Sequence, residues 1–433
     1  MSGPVVEHVL RARRAVLDGV VRPAAIGLAD GMIQVVDDFG AELAGAAQTV
    51  LGADVVLMPG LVDTHVHVND PGTDWEGFAT ATAAALTGGI TTIVDMPLDS
   101  DPVTTTVAAL ALKRAAAAGV CRVDTGFWGG IVPDNLDTFG ELAAAGVLGF
   151  KCFLSESGNP NFPPLDIAEF RVAMAVVAEL DSVLLVHAES ARVLADCPPP
   201  VGRDYGGFLR SRPDNAELDA VRIVLDAVAD TGARAHIVHV SSAAVLPLIA
   251  EAKQAGLPVT AETCPHYLTF AAEDIPDGGT VFAACPPIRG EDNRKSLWAA
   301  LADGTLDMVV SDHSPCAREH KDLDGGDFGR AFGGISSLQI ALPALWTQAA
   351  PAGFALPDVC RWMAQAPATL AGLTDRGVIA PGKRADFCVF DPDASWVVRG
   401  AQLRHRHPIT PYEGAALTGT VRQTWVGGTP EAA

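Results

Sequence analysis

"SVLLVHAES" (Ser182–Ser190) and "ARAHIVHVS" (Ala233–Ser241) are short runs rich in β-branched and aliphatic residues, and each carries a histidine close to its end. Between them lies "ELDAVRIVLDAVADTG" (Glu217–Gly232), whose apolar residues recur at helical spacing and which stops on a glycine, the usual closing residue of a helix. Strand, amphipathic helix, strand is the unit from which parallel sheets are built. The alternation continues outward on both sides. Upstream stand "VVLMPGLVDTHVHV" (Val55–Val68), "TTIVDMP" (Thr91–Pro97), "CRVDTGFW" (Cys121–Trp128) and "GFKCFLS" (Gly149–Ser155); downstream stand "PVTAETCPHYL" (Pro258–Leu268) and "DMVVSDHSP" (Asp307–Pro315). These eight strand candidates, separated by Ala- and Leu-rich stretches such as "AALALKRAAAAG", predict an α/β fold, a (β/α)8 TIM-like barrel over residues 55–376.

The flanks read differently. "AAIGLADGMIQVV" has the form of two strands around an Asp-Gly turn, and "PGKRADFCVFDP" that of another strand entered through a glycine turn. Isolated strands are not stable in water, so residues 1–54 and 377–433 are expected to pair into one small β-sandwich beside the barrel.

Composition limits the partners. Asp and Glu number 52 against 30 Lys and Arg, a formal net charge of −22 that repels nucleic-acid phosphates and anionic lipid surfaces. No stretch approaches the roughly 20 uncharged apolar residues of a membrane span, and the scattered charges of "MSGPVVEHVLRARRAVLDG" do not form a secretion leader. The cysteines at 121, 152, 197, 264, 285, 316, 360 and 388 show no C-x-x-C pair. Reduced thiols and a cytoplasmic location are the expectation, with a small molecule as substrate.

Chemistry gathers at the strand ends. Residues i and i+2 of a strand share a face, so His65 and His67 in "DTHVHV" point the same way. At the C-terminal end of a barrel strand that way is the mouth, where such barrels keep their active sites, and paired imidazoles suit a divalent metal. His187 ends the fifth strand and His239 the sixth; His236, three residues before His239, faces the other side. Asp312 at the end of the eighth strand offers a ligand, a general base, or both. Lys151, at the end of the fourth strand, is an odd neighbour for a cation until CO2 converts its amine to a carbamate, an anion whose two oxygens can bridge two metals. His266 in "TCPHYL" is expected to be structural.

"PGLVDTHVHVNDPG", "GFKCFLS", "VHAES", "HVSS", "TCPHYL", "CPPIR" and "SDHSPC" together resemble the cyclic amidohydrolase family. Within that family "HVNDPGTDWEGF", "GGITTIVDMPLDS" and "GFLRSRPDNAELDAV" are similar to the allantoinases. The resemblance implies a dinuclear centre in which His65, His67 and Asp312 hold one ion, His187 and His239 hold the other, and carboxylated Lys151 bridges them. It also implies a homotetramer and hydrolysis of the hydantoin ring of allantoin to allantoate, with Asp312 catalytic. Dihydroorotase or hydantoinase activity, or an inactive scaffold, are the alternatives. Imidazole, carboxylate and carbamate donors suit two zinc ions first, and also iron, cobalt, nickel or manganese. Asn69, Asp99 and Cys285 are the expected substrate contacts. Asn69 stands where dihydroorotases typically place an arginine, and Asp99 where allantoinases more often carry asparagine.

Overall fold

The structure is a computed structural model that describes residues 6–432. Eight parallel strands form the barrel: β1 (Leu61–Val66), β2 (Ile90–Asp95), β3 (Asp124–Phe127), β4 (Phe150–Phe153), β5 (Val183–His187), β6 (Arg234–Ile237), β7 (Val259–Thr263) and β8 (Met308–Val309). β1, β2 and β3 pair in sequence order, as do β4 through β8. Between β3 and β4 the sheet continues through Gly129 and Gly130, which pair with Phe150 and Lys151. The ring closes where Val66 and His313 form a parallel bridge and the His67 N–H donates to the His313 carbonyl at 2.8 Å.

Helices fill the crossovers for visible local reasons. Asp166 and Glu169 cap one another's backbone at the start of the helix Ile167–Glu179, and Gly232 closes Asp214–Thr231 in the left-handed conformation. The buried residues of that second helix, Ala216, Glu217, Ala220, Val221, Val224, Ala227 and Val228, recur singly or in adjacent pairs once per turn and so make one stripe facing the strands. "TCPHYL", read as the end of a strand, divides: the strand stops at Thr263 and Pro265–Thr269 is a short helix, with proline at a position that needs no N–H.

Strands from both flanks make one eight-stranded sheet around a separate apolar core that includes Leu10, Ile26, Leu57, Phe387 and Trp425. Val20–Ala29 and Met32–Asp37 pair across Asp30-Gly31, both at positive φ as a tight hairpin turn requires. The stretch 55–68 is two strands, not one. Val56–Pro59 pairs antiparallel with Phe387–Phe390 in the flank sheet, so the passage into the barrel falls at Gly60 and not before Val55. Glycine is required there, because a Cβ would lie 2.3 Å from Thr91 Oγ1. This crossing fixes β1, and with it His65 and His67, to the flank sheet.

Candidate metal centre

A cleft of 360 Å³ opens at the C-terminal ends of the barrel strands, where His65, His67, Lys151, His187, His239 and Asp312 all reach its wall. The Nε2 atoms of His65 and His67 stand 3.2 and 3.5 Å from Asp312 Oδ1. The His187 and His239 rings cross edge to face with centroids 4.6 Å apart. Lys151 Nζ lies 5.0 Å from the centre of the Phe153 ring. His239 and Asp312 occupy left-handed backbone at φ 40° and 44°, a strain of order 1 kcal/mol or more each for non-glycine residues. It turns both side chains away from the run of their strands and toward the mouth.

Supporting carboxylates aim the imidazoles. Glu262 Oε1 meets His65 Nδ1 at 2.5 Å, and its Oε2 takes His236 Nε2 at 2.8 Å, so His236 stands behind the wall and not in it. Glu189 Oε2 holds His187 Nε2 at 2.8 Å and also pairs with Arg212. Asp95 Oδ1 accepts from the Val68 N–H at 2.8 Å while its Oδ2 is tied to buried Lys113 at 2.5 Å, which pins the chain just past His67. The sequence reading passed over Glu262, Glu189 and Asp95. A signal existed for each, since a carboxylate inside an otherwise apolar strand or at its end needs a buried partner.

Electrostatics favour metal binding. Burial drives His65, His187 and His239 below the ordinary imidazole range, His239 furthest, so they stand neutral with a lone pair to give. Burial alone would raise Glu262 and Glu189, yet His65 and His236 hold the first, and Arg212 with His187 the second, at about 2. Asp312 is likewise held well below the carboxylate range against burial, chiefly by His65 and by His67. Burial brings the Lys151 ammonium down to about 8. His67 Nδ1 and His239 Nδ1 are buried without a hydrogen-bond partner. Orphaned imidazole nitrogens around an acidic, neutral-imidazole donor set fit divalent cations.

The other expected contacts divide. Asp99 and Cys285 line the cleft, and burial raises the Asp99 carboxyl against the pull of His67 and Asn159. Asn69 is buried outside it, its amide donating to the Pro315 carbonyl at 3.2 Å. Arg212 and Glu156 line the wall without having been read from sequence. His266 is fully buried with neither ring nitrogen hydrogen-bonded, and can bring a nitrogen within 4.8 Å of Cys264 and Asp312 ligand atoms. Two loops roof the cleft: Pro200 comes from one, Phe328 and Phe332 from the other, and the Phe328 N–H joins them through the Gly202 carbonyl at 2.9 Å. Gly333 lets the second loop close on Cys285, whose Sγ would lie 2.5 Å from a Cβ there.

Residues 56–430 match the amidohydrolase family. The chain belongs to that family. Its relatives narrow the placement to the allantoinases: an allantoinase of Streptomyces avermitilis is 51% identical over 98% of this chain and 95% of its own length. That of Saccharomyces cerevisiae is 45% identical over 86% of this chain and 82% of its own. Among solved structures, the L-hydantoinase of Arthrobacter aurescens superposes with a TM-score of 0.93 at 28% identity, covering 99% of this chain and 96% of that one. With 99% of this chain covered, that superposition takes in both the barrel and the flank sheet described above.

Proposed function

We propose that this amidohydrolase opens the hydantoin ring of allantoin by hydrolysis, giving allantoate. The observation that carries the reading is the convergence of His65, His67, Lys151, His187, His239 and Asp312 on one cleft, in a chain 51% identical to an allantoinase. His65, His67 and Asp312 would hold one divalent ion and His187 and His239 a second, with Lys151 carboxylated by CO2 as the anion between them. Bound there, the ions supply Lewis acidity toward the ring carbonyl and lower the pKa of water enough for attack at neutral pH. Zinc suits these donors first.

The protein's own part is positioning and proton transfer. Asp312 takes the proton of the attacking water and delivers it to the leaving ring nitrogen, closing the proton balance of the hydrolysis. Glu156 puts negative charge on the cleft wall, while Arg212, which also lines it, is paired with Glu189. This wall favours a neutral ureide over an anionic ring such as dihydroorotate. The aromatic roof of Phe328 and Phe332 shelters the reacting atoms from bulk water.

Among the described residues no helix is long and apolar enough to cross a membrane, and the eight cysteines are free thiols, which supports a reducing, cytoplasmic setting. A homotetramer is the assembly proposed from the family. The deciding measurement is kcat/KM for allantoin, dihydroorotate and hydantoin on protein reconstituted with Zn²⁺ and bicarbonate. Allantoin is expected to lead. Equal or better turnover of hydantoin would move the assignment to the chemistry named for the Arthrobacter aurescens structure.

A further inference from the structure

Two of the cleft imidazoles have their second ring nitrogen spoken for by a carboxylate: His65 Nδ1 by Glu262 at 2.5 Å, His187 Nε2 by Glu189 at 2.8 Å. His67 differs. Its Nε2 faces Asp312, and its Nδ1 is buried with no hydrogen bond, but Asp99 Oδ2 lies 3.8 Å from it. Asp99 is half-buried, its other oxygen accepts from Asn159 Nδ2 at 3.3 Å, and its backbone sits in the left-handed region at φ 62°. That conformation is unfavourable for a residue with a side chain and persists only where the surroundings impose it. The carboxylate is therefore held beside the imidazole edge on two sides.

We propose that Asp99 is a positioning residue for the metal, its Oδ2 accepting the Nδ1–H of His67 and fixing that ring with Nε2 toward the ion, and not a contact to the substrate. Closing 3.8 Å to the usual 2.7–2.9 Å of a charge-assisted bond takes about 1 Å of movement, within reach of a ring turn as Nε2 engages a cation. Three of the four histidines proposed as ligands would then have a carboxylate behind them, the arrangement that sets tautomer and orientation in metal sites. The inference rests on the metal-centre reading above.

The test uses the Co²⁺-loaded enzyme, its Asp99→Leu and Asp99→Asn variants, transfer of Co²⁺ to a competing chelator, and the visible bands of the bound ion. Loss of the acceptor in Asp99→Leu is expected to weaken retention of Co²⁺ by about 10–100-fold, the usual effect of removing such a partner. Asp99→Asn, which keeps an oxygen but no charge, is expected to move the same way by less, and KM for allantoin to stay near the parent value in both. Parent-like Co²⁺ release from both variants, with KM for allantoin raised, would overturn the proposal and return Asp99 to the substrate. If the leucine variant does not fold, the near-isosteric asparagine variant decides, and release at the parent rate overturns the idea. A parent protein that takes up no Co²⁺ would sink the metal-centre reading itself, an outcome separate from either variant result.

Discussion

The two halves of the proposed centre are not equally prepared. His65 and His67 already converge on Asp312 Oδ1 at 3.2 and 3.5 Å, two imidazoles facing a carboxylate that its neighbours keep ionised. The His187 and His239 rings lie 4.6 Å apart, closer than the 5.4 Å between the His65 and His67 rings, but the third group beside them is Lys151, a cation at neutral pH. One half is a ligand set once the barrel has folded, and the other becomes one only after an amine gains a CO2. The lesson is that the barrel supplies geometry to both halves and charge to only one.

Removing Lys151 breaks the less prepared half outright. Lys151→Ala is expected to lose most bound metal by elemental analysis and to fall to the background of the allantoin assay, with partial recovery when short carboxylic acids are added to stand in for the carbamate. Normal metal content and turnover in that variant would end the bridging role. Asp312→Asn strikes the other half more narrowly. The amide still has an oxygen to offer a cation but cannot take a proton, so kcat for allantoin is expected to drop by ~10²–10⁴-fold while part of the metal remains. Turnover within a few-fold of the parent at saturating allantoin would remove Asp312 as proton carrier.

The same contrast shows what could be read from the sequence. Strand alternation and the i, i+2 rule place His65 and His67 on one face, and strand-end position brings His187, His239, Lys151 and Asp312 to the same mouth, because these are properties of single strands. Glu262 and Glu189 escaped, although each sits on or next to a strand already identified. Their importance lies in what they touch, and contacts such as Glu262 to His65 and His236 arise only when strands far apart in sequence are laid side by side. Asn69 went the opposite way: adjacency to the histidine pair suggested the cleft, but a backbone at φ 60° turns its amide to the Pro315 carbonyl. The flank strands were legible from turn chemistry. The crossing at Gly60 was not, since an apolar run through Pro-Gly looks continuous until the partner strand Phe387–Phe390 is known.

The supporting carboxylates sharpen the comparison at a smaller scale. Glu262→Gln keeps a hydrogen bond to His65 but loses the charge that orients it, and is expected to cost roughly 10–100-fold in metal affinity. Glu189→Gln should cost less at the ion, because Arg212 is then left without its carboxylate and part of the damage appears as loss of thermal stability instead. Parallel titrations of both variants with Zn²⁺, together with their melting temperatures, check the ordering. Equal metal loss with equal melting points would show that the two halves depend on their carboxylates in the same way.

The smallest effect addresses how the second half acquires its charge. Only the free amine attacks CO2, so the rate at which metal-free, decarboxylated protein regains activity on adding Zn²⁺ and CO2 follows the unprotonated fraction of Lys151. Burial lowers that group to about 8. Because the value is depressed, the amine is mostly protonated below pH 8 and mostly free above it, and the sign is a rate that rises with pH and then levels. From pH 7 to pH 9 the free fraction climbs from about a tenth to about nine tenths, so reactivation should quicken by roughly tenfold and flatten beyond pH 9. A solvated lysine near 10.4 would instead give about a hundredfold rise over the same interval with no levelling. Dissolved CO2, not total bicarbonate, must be held constant, since CO2 itself is depleted as pH rises. A hundredfold, unlevelled rise would mean that the Lys151 amine is hydrated before carboxylation, and the unprepared half of the centre would then be open to solvent until its carbamate forms.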